Sequence, residues 1–249
     1  MFKVKNAGTR TSLLTHTAMT LFVTAISFQN ALADDLAYAE AQVKHKAYVY
    51  TELQISTPFN EVPWKDINTS IKQQPGFIDK TWLSGVGNQS AGGFYTFDSI
   101  ENAQKFVTQY FPAEATAFGV AQTTRVFDSA ASENASRDMN SVHYGAHLKV
   151  KPGAFVYTEV QLHAVPFDQA APWRELDPIL KQQPGLLSKT WLSGLHTGTP
   201  GGLYAFDTIE HAQQFALDYF PTEAKKLNAA FYTRVENYLS NLEGLRVWV

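Results

Sequence analysis

The chain reads as an α+β protein in which one βαββαβ unit occurs twice in tandem, and three observations lead there. The first is a repeat. KQQPGFIDKTWLSG, Lys72 to Gly85, returns as KQQPGLLSKTWLSG at Lys181 to Gly194, with eleven of fourteen positions identical at a spacing of 109. The second is that each copy switches between strand-like alternation and helical periodicity in the same order. The third is where the copies differ in length. The spacing is 105 at Ala41/Ala146 and 107 at Ala47/Ala154 before it reaches 109, and the added residues are Pro152-Gly153 and two more near Pro166. Insertions confined to turn residues mark loops between elements that cannot shift.

The elements follow in order. Tyr48 to Ile55 alternates Val49, Thr51, Leu53 and Ile55 against Tyr48, Tyr50, Glu52 and Gln54, a strand. Pro63 suits a first helical turn, with Trp64, Ile67 and Ile71 on one stripe, and Pro75-Gly76 ends that helix. Phe77 to Ser84 and Gly92 to Phe97 are the next strands. Asp98-Ser-Ile-Glu101 reads as a capping box with Asp98 as N-cap, opening a helix with Ile100, Ala103, Phe106, Val107 and Tyr110 inward. Pro112 restarts a shorter helix, and Ala121 to Phe127 is the fourth strand.

The second copy gives strand Phe155 to His163, a helix near Trp173 to Gln183, strands Leu186 to Ser193 and Gly202 to Phe206, an Asp207-capped helix, and a last strand from Phe231 to Val235. Pro178 is a misfit, because proline breaks a helix begun at Pro172; Asp177 is then expected to cap a late start. The order is that of a ferredoxin-like unit, one at 41–128 and one at 146–237. Residues 129–145 are polar and small and read as a linker, and 238–249 form an apolar C-terminal segment expected to cover a sheet edge. Such a unit leaves one sheet face bare, so the two sheets are expected to pack on each other in pseudo-twofold relation.

Composition bounds the function. The 249 residues are 45% apolar, enough for two cores. A formal net charge of -3 argues against a nucleic-acid surface, and zero cysteines exclude disulfides and thiolate chemistry. Lys3, Lys5 and Arg10, the short apolar run Ala18 to Phe28, and Ala31-Leu32-Ala33 read as a signal peptide over residues 1–33. The mature protein is expected to be exported to the periplasm or medium, without stable membrane insertion. The seven histidines show no HxH or HExxH spacing, so no metal site is expected.

Candidate site residues recur in both copies. Trp64/Trp173, Trp82/Trp191 and Tyr95/Tyr204 either wall a pocket for a flat ligand or pack as core between helix and sheet. Lys80 and Lys189 share strand parity with Trp82 and Trp191; each either snorkels to a solvated rim or holds an anionic substrate group. Glu52/Glu159 lie either on a catalytic strand face or in a polar seam between units. Glu159 with His163 and His196, histidines that copy one lacks, is the candidate catalytic set. Gly92-Gly93 and Gly201-Gly202 are expected to permit close backbone approach.

Pro75-Gly76-Phe77, Lys80, Trp82, Ala91-Gly92-Gly93, Tyr95 and Phe97, matched in the second copy by Pro184-Gly185, Lys189, Trp191, Gly201-Gly202, Tyr204 and Phe206, resemble the YdhR-type mono-oxygenase family. The resemblance covers Tyr48 to Asp128 and Phe155 to Asn237. It implies the dimeric α+β barrel fold, formed here within one chain. It also implies a cofactor-independent mono-oxygenase acting on a small aromatic or quinol-type molecule. The alternative is a non-catalytic exported binding protein for an apolar or haem-like ligand. Duplication and an export signal are departures from that family's pattern.

Overall fold

A computed structural model describes residues 46–162 and 167–238, which fall within one compact unit. The stretch read as a signal peptide, His163, Pro166 and the segment 239–249 lie outside the described residues. The first repeat runs β1 (Ala47–Leu53), α1 (Trp64–Lys72), β2 (Phe77–Gly85), β3 (Ala91–Phe97), α2 (Ile100–Lys105), α3 (Phe111–Phe118) and β4 (Gln122–Asp128). A short helix α4 (Glu133–Asp138) follows. The second repeat is β5 (Ala154–Gln161), α5 (Phe167–Ala170), α6 (Trp173–Leu180), β6 (Leu186–Ser193), β7 (Pro200–Phe206), α7 (Ile209–Gln214), α8 (Phe220–Lys226) and β8 (Ala230–Tyr238).

All eight strands form one antiparallel sheet in the order β4-β1-β3-β2-β8-β5-β7-β6, two ferredoxin-like halves joined edge to edge. The outer edges also meet, through a bridge between Phe127 and Gly194, so the sheet closes on itself. The two seams are related by the repeat: Val86 N donates to Val235 O, and Leu195 N to Val126 O, each at 2.9 Å. Strand alternation then sorts the side chains. Tyr48, Tyr50, Leu83 and Phe94 meet Phe155, Tyr157, Leu192 and Leu203 inside the barrel. Val49, Trp82, Tyr95 and Phe97 face the helices of the first unit, as Val156, Trp191, Tyr204 and Phe206 face those of the second.

Several local expectations are corrected. The helix N-caps are Ser99 and Thr208, whose hydroxyls accept from Asn102 N and His211 N at 3.2 Å; Asp98 and Asp207 sit one residue earlier. Their carboxylates instead crowd Gly76 and Gly185, which stand at φ +70, and a Cβ on either would lie 2.1 Å from Asp98 or Asp207 Oδ1. Five-residue π turns, Phe106–Tyr110 and Phe215–Tyr219, interrupt the second helix of both units. Each precedes a proline, Pro112 or Pro221, that has no N–H for the carbonyl four residues back, and the backbone widens there.

Helix α6 runs through Pro178 without breaking. Pro178 and Arg174 are exposed, so the one lost backbone bond lies on the solvent side, and Asp177 is not a cap. Nor is 129–145 unstructured: it holds α4 between short 3-10 turns, and its small residues pack against β6. Ser132 Oγ donates to Trp191 O at 2.7 Å, Trp191 N donates to Ser136 Oγ at 2.9 Å, and Lys189 N to Met139 O at 3.1 Å. These bonds cover backbone that an edge strand otherwise leaves open.

Candidate functional site

The second unit holds an apolar cavity of about 230 Å³ between its sheet and its helices. Its floor is Lys189 and Trp191 on β6 with Gly201 and Tyr204 on β7; Leu180 on α6 and Tyr219 from the π turn wall it. The π turn swings Tyr219 to the cavity, the kind of place where such turns recur.

Lys189 is the chemical centre. The register pairs Lys189 with Tyr204 and Trp191 with Gly202, so the lysine side chain lies over the bare glycine between the two rings. A Cβ on Gly202 would meet Lys189 Cε at 2.7 Å, which explains the Gly-Gly pair as a close-approach site. Nζ lies 2.6 Å from the Trp191 ring centroid and 4.6 Å from that of Tyr204. It makes no hydrogen bond, and the residue has 0% exposure. Burial drives its pKa well below the usual lysine range, with the nearby Asp177 charge opposing. The expectation of a solvated rim is therefore wrong for Lys189, and for Lys80, at 2% exposure, as well.

Asp177 is fully buried on the inner stripe of α6, and its Oδ1 accepts from Trp191 Nε1 at 2.8 Å. Burial raises its pKa to about 6 against the pull of the Trp191 N–H and Lys189. The first unit repeats the ring–lysine–ring sandwich, with Lys80 Nζ 2.9 Å from the Trp82 centroid and 4.6 Å from that of Tyr95. Its carboxylate differs. Asn68 stands where the second unit has Asp177, and the charge that faces Lys80 is Glu114 on α3. Burial raises the Glu114 pKa, with Lys80 opposing. Its counterpart Glu223 pairs with Lys226 at 2.6 Å, and both line the cavity.

The other candidates lie elsewhere. Trp64 and Trp173 are half-buried on the helices, flanked by Lys65 and Arg174, and pack against the cores, with Trp173 Nε1 donating to Asp168 Oδ1 at 3.3 Å. Glu159 sits at the barrel seam, accepting from Tyr157 Oη at 2.8 Å and paired with Arg125 Nε at 3.0 Å. His196 is exposed at φ 60 in the β6–β7 turn, where the first copy has Gly87. His196 and Glu159 share a hollow with Arg125 that is separate from the Lys189 cavity. Sequence reasoning missed Asp177 as a site residue, although Trp173, Asp177 and Leu180 fall at i, i+4 and i+7 on one helical face.

The barrel interior holds a second ionisable group. Tyr50 and Tyr157 stack at 3.9 Å with an interplanar angle of 2°. Tyr50 Oη lies 3.1 Å from Glu236 Oε1 and 3.3 Å from Glu52 Oε2, and Tyr232 Oη and Arg234 also reach Glu52. One hydroxyl proton serves only one of two carboxylates, so the arrangement calls for a proton on the other. Burial and the Glu52 charge raise the Glu236 pKa to about 8.

Two ferredoxin-like sheets closed into one barrel, with a cavity between sheet and helices, define a dimeric α+β barrel whose two halves are fused. Residues 51–137, the first unit and the start of the segment after it, match the family described as "Putative mono-oxygenase ydhR". The second unit carries the same motif by duplication. Among solved structures, an anthrone oxidase-like protein matches at 16% identity and TM-score 0.50, over 83% of this chain and 98% of its own. A protein described as "Putative Chlorite dismutase TA0507" matches at 10% identity and TM-score 0.49, over 79% and 95%. A "putative monooxygenase from Lactobacillus acidophilus NCFM" matches at 9% identity and TM-score 0.45, over 77% and 93%. At 16% identity the likeness to the first of these is one of fold. No curated protein matches significantly.

Proposed function

We propose that the second unit is a mono-oxygenase that oxidises a small electron-rich aromatic of the quinol type with O₂ and without a bound cofactor. The observation that carries this reading is a buried, unpaired amine on the floor of an apolar cavity. A simple binding protein for an apolar ligand needs the cavity but not the titratable pair Lys189 and Asp177, and this pair favours chemistry. A neutral Lys189 accepts a proton from a phenol or an activated ring methylene. The resulting ammonium then holds the anion in a space that excludes water. The anion is electron-rich enough to reduce O₂, and the balance is R₂CH₂ + O₂ giving R₂C=O + H₂O. Lys189, rather than Glu159 or His196, is the proton acceptor in this scheme.

Size limits the substrate. A cavity of roughly 150 Å³ takes benzene, so about 230 Å³ suits one or two fused rings. A haem macrocycle does not fit that volume. The leader reading supports an exported enzyme. The test is oxygen uptake by purified, chelator-treated protein given a dihydroxynaphthalene, with ¹⁸O₂ to follow the inserted atom. Lys189→Met is expected to lower turnover by about 10²-fold or more, the usual contribution of a positioned base. Turnover unaffected by that change would refute the assignment.

A further inference from the structure

We propose that Lys189 is also a carbonyl-capturing amine, and that the cavity takes a small aromatic aldehyde or ketone and joins it to Nζ as an imine. The inference rests on the reading of the cavity as the ligand site. Its geometric basis is an amine that meets only ring faces and has no acceptor to hold its hydrogens. Two other lysines are held by carboxylates, Lys181 by Asp138 and Lys226 at the cavity's edge by Glu223, each at 2.6 Å. A desolvated lysine in an apolar pocket is the arrangement that activates an amine toward carbonyl carbon. The cavity walls suit the aromatic half of such a molecule, with Trp191, Tyr204 and Tyr219 around it.

The step balances without a further reagent. The Nζ lone pair forms the C–N bond, and the C–O π pair moves to oxygen. Both amine hydrogens then leave with that oxygen as water, and C=N remains. Burial favours the neutral amine that owns the required lone pair, whereas an exposed lysine is protonated near neutral pH. Gly202 leaves the side chain its path, so the lysine reaches the cavity floor instead of the surface.

The experiment uses full-length protein and benzaldehyde near pH 6.5, about four units below the ordinary lysine pKa. Cyanoborohydride traps any imine, and peptide mass spectrometry locates the benzyl group. Tryptophan fluorescence quenching measures binding separately. The expected result is a benzyl adduct on Lys189 in clear excess over every exposed lysine. The adduct should be lost in Lys189→Arg. If Lys189→Arg does not fold, Lys189→Met serves the same purpose. Quenching without a Lys189 adduct overturns carbonyl capture and leaves the binding reading standing. Neither quenching nor adduct overturns both.

Discussion

Replacing Glu236 with glutamine should make the protein's stability less dependent on pH, and the size of the effect follows from the barrel interior. Glu236 is 2% exposed, and burial beside Glu52 moves its pKa from 4.5 to about 8. The folded state therefore keeps a proton that the unfolded chain releases. That contribution to stability is fully present below about pH 4.5 and is lost as pH rises through about 8. The whole shift corresponds to about 5 kcal/mol, an upper figure, at 1.36 kcal/mol for each pKa unit. Between pH 6 and 8 the wild type should lose about 2 kcal/mol that the Glu236→Gln variant does not, after rounding near the folded pKa. For a domain of this size that is about 5 °C in melting temperature. Urea unfolding of both proteins across this range measures the difference, in which titrating groups distant from Glu236 cancel. Parallel profiles would refute the reasoning, because they would mean Glu236 is ionised in the folded barrel.

Four further outcomes are expected. Asp177→Asn removes the charge that favours protonated Lys189, so the acid limb of the turnover profile should move to lower pH; a limb that stays in place counts against the pairing. Gly202→Ala puts a methyl 2.7 Å from Lys189 Cε and 2.8 Å from Tyr204, costing about 1–3 kcal/mol by overpacking and displacing the amine, checked by melting and by reductive trapping. Ser136→Ala deprives the buried Trp191 N–H of its acceptor, for a loss of about 1–3 kcal/mol in urea unfolding. Protein recovered from the exported fraction should begin at Asp34 by N-terminal sequencing, and an intact Met1 there would exclude cleavage after Ala33.

The fold was legible because period-2 and helical patterning occur twice, and two noisy readings that agree reinforce each other. The aromatic–lysine sandwich was half legible. Trp191, Tyr204 and Lys189 could be placed on one sheet face, but whether that face ends in solvent depends on helices that strand parity does not describe. Asp177 was read as a cap because Pro178 follows it, and proline rules assume a helix whose every carbonyl needs its partner. Glu236 escaped because the last strand was ended at Val235, whereas β8 runs on to Tyr238. Its counterpart Phe127 shows that the position faces inward, and a buried carboxylate is the least expected residue there. The Ala/Ser-rich stretch after β4 looked like a tether because small polar residues are common in flexible chain, yet here they serve close packing on β6.

The β2–β8 ladder has a consequence for how the chain folds. Leu83, Ser84 and Gly85 pair with Tyr238, Asn237 and Glu236, so a strand from the first third of the chain waits for nearly the last residues to be made. Until the second repeat is made, Tyr48, Tyr50, Leu83 and Phe94 have no opposing sheet, and the first repeat carries an apolar face with nothing to bury it. Joining ends so distant in sequence is slow, because loop-closure entropy is spent before the contacts return it. A half-made chain should therefore be sticky and reliant on a holding chaperone, with barrel closure as its slow and late event.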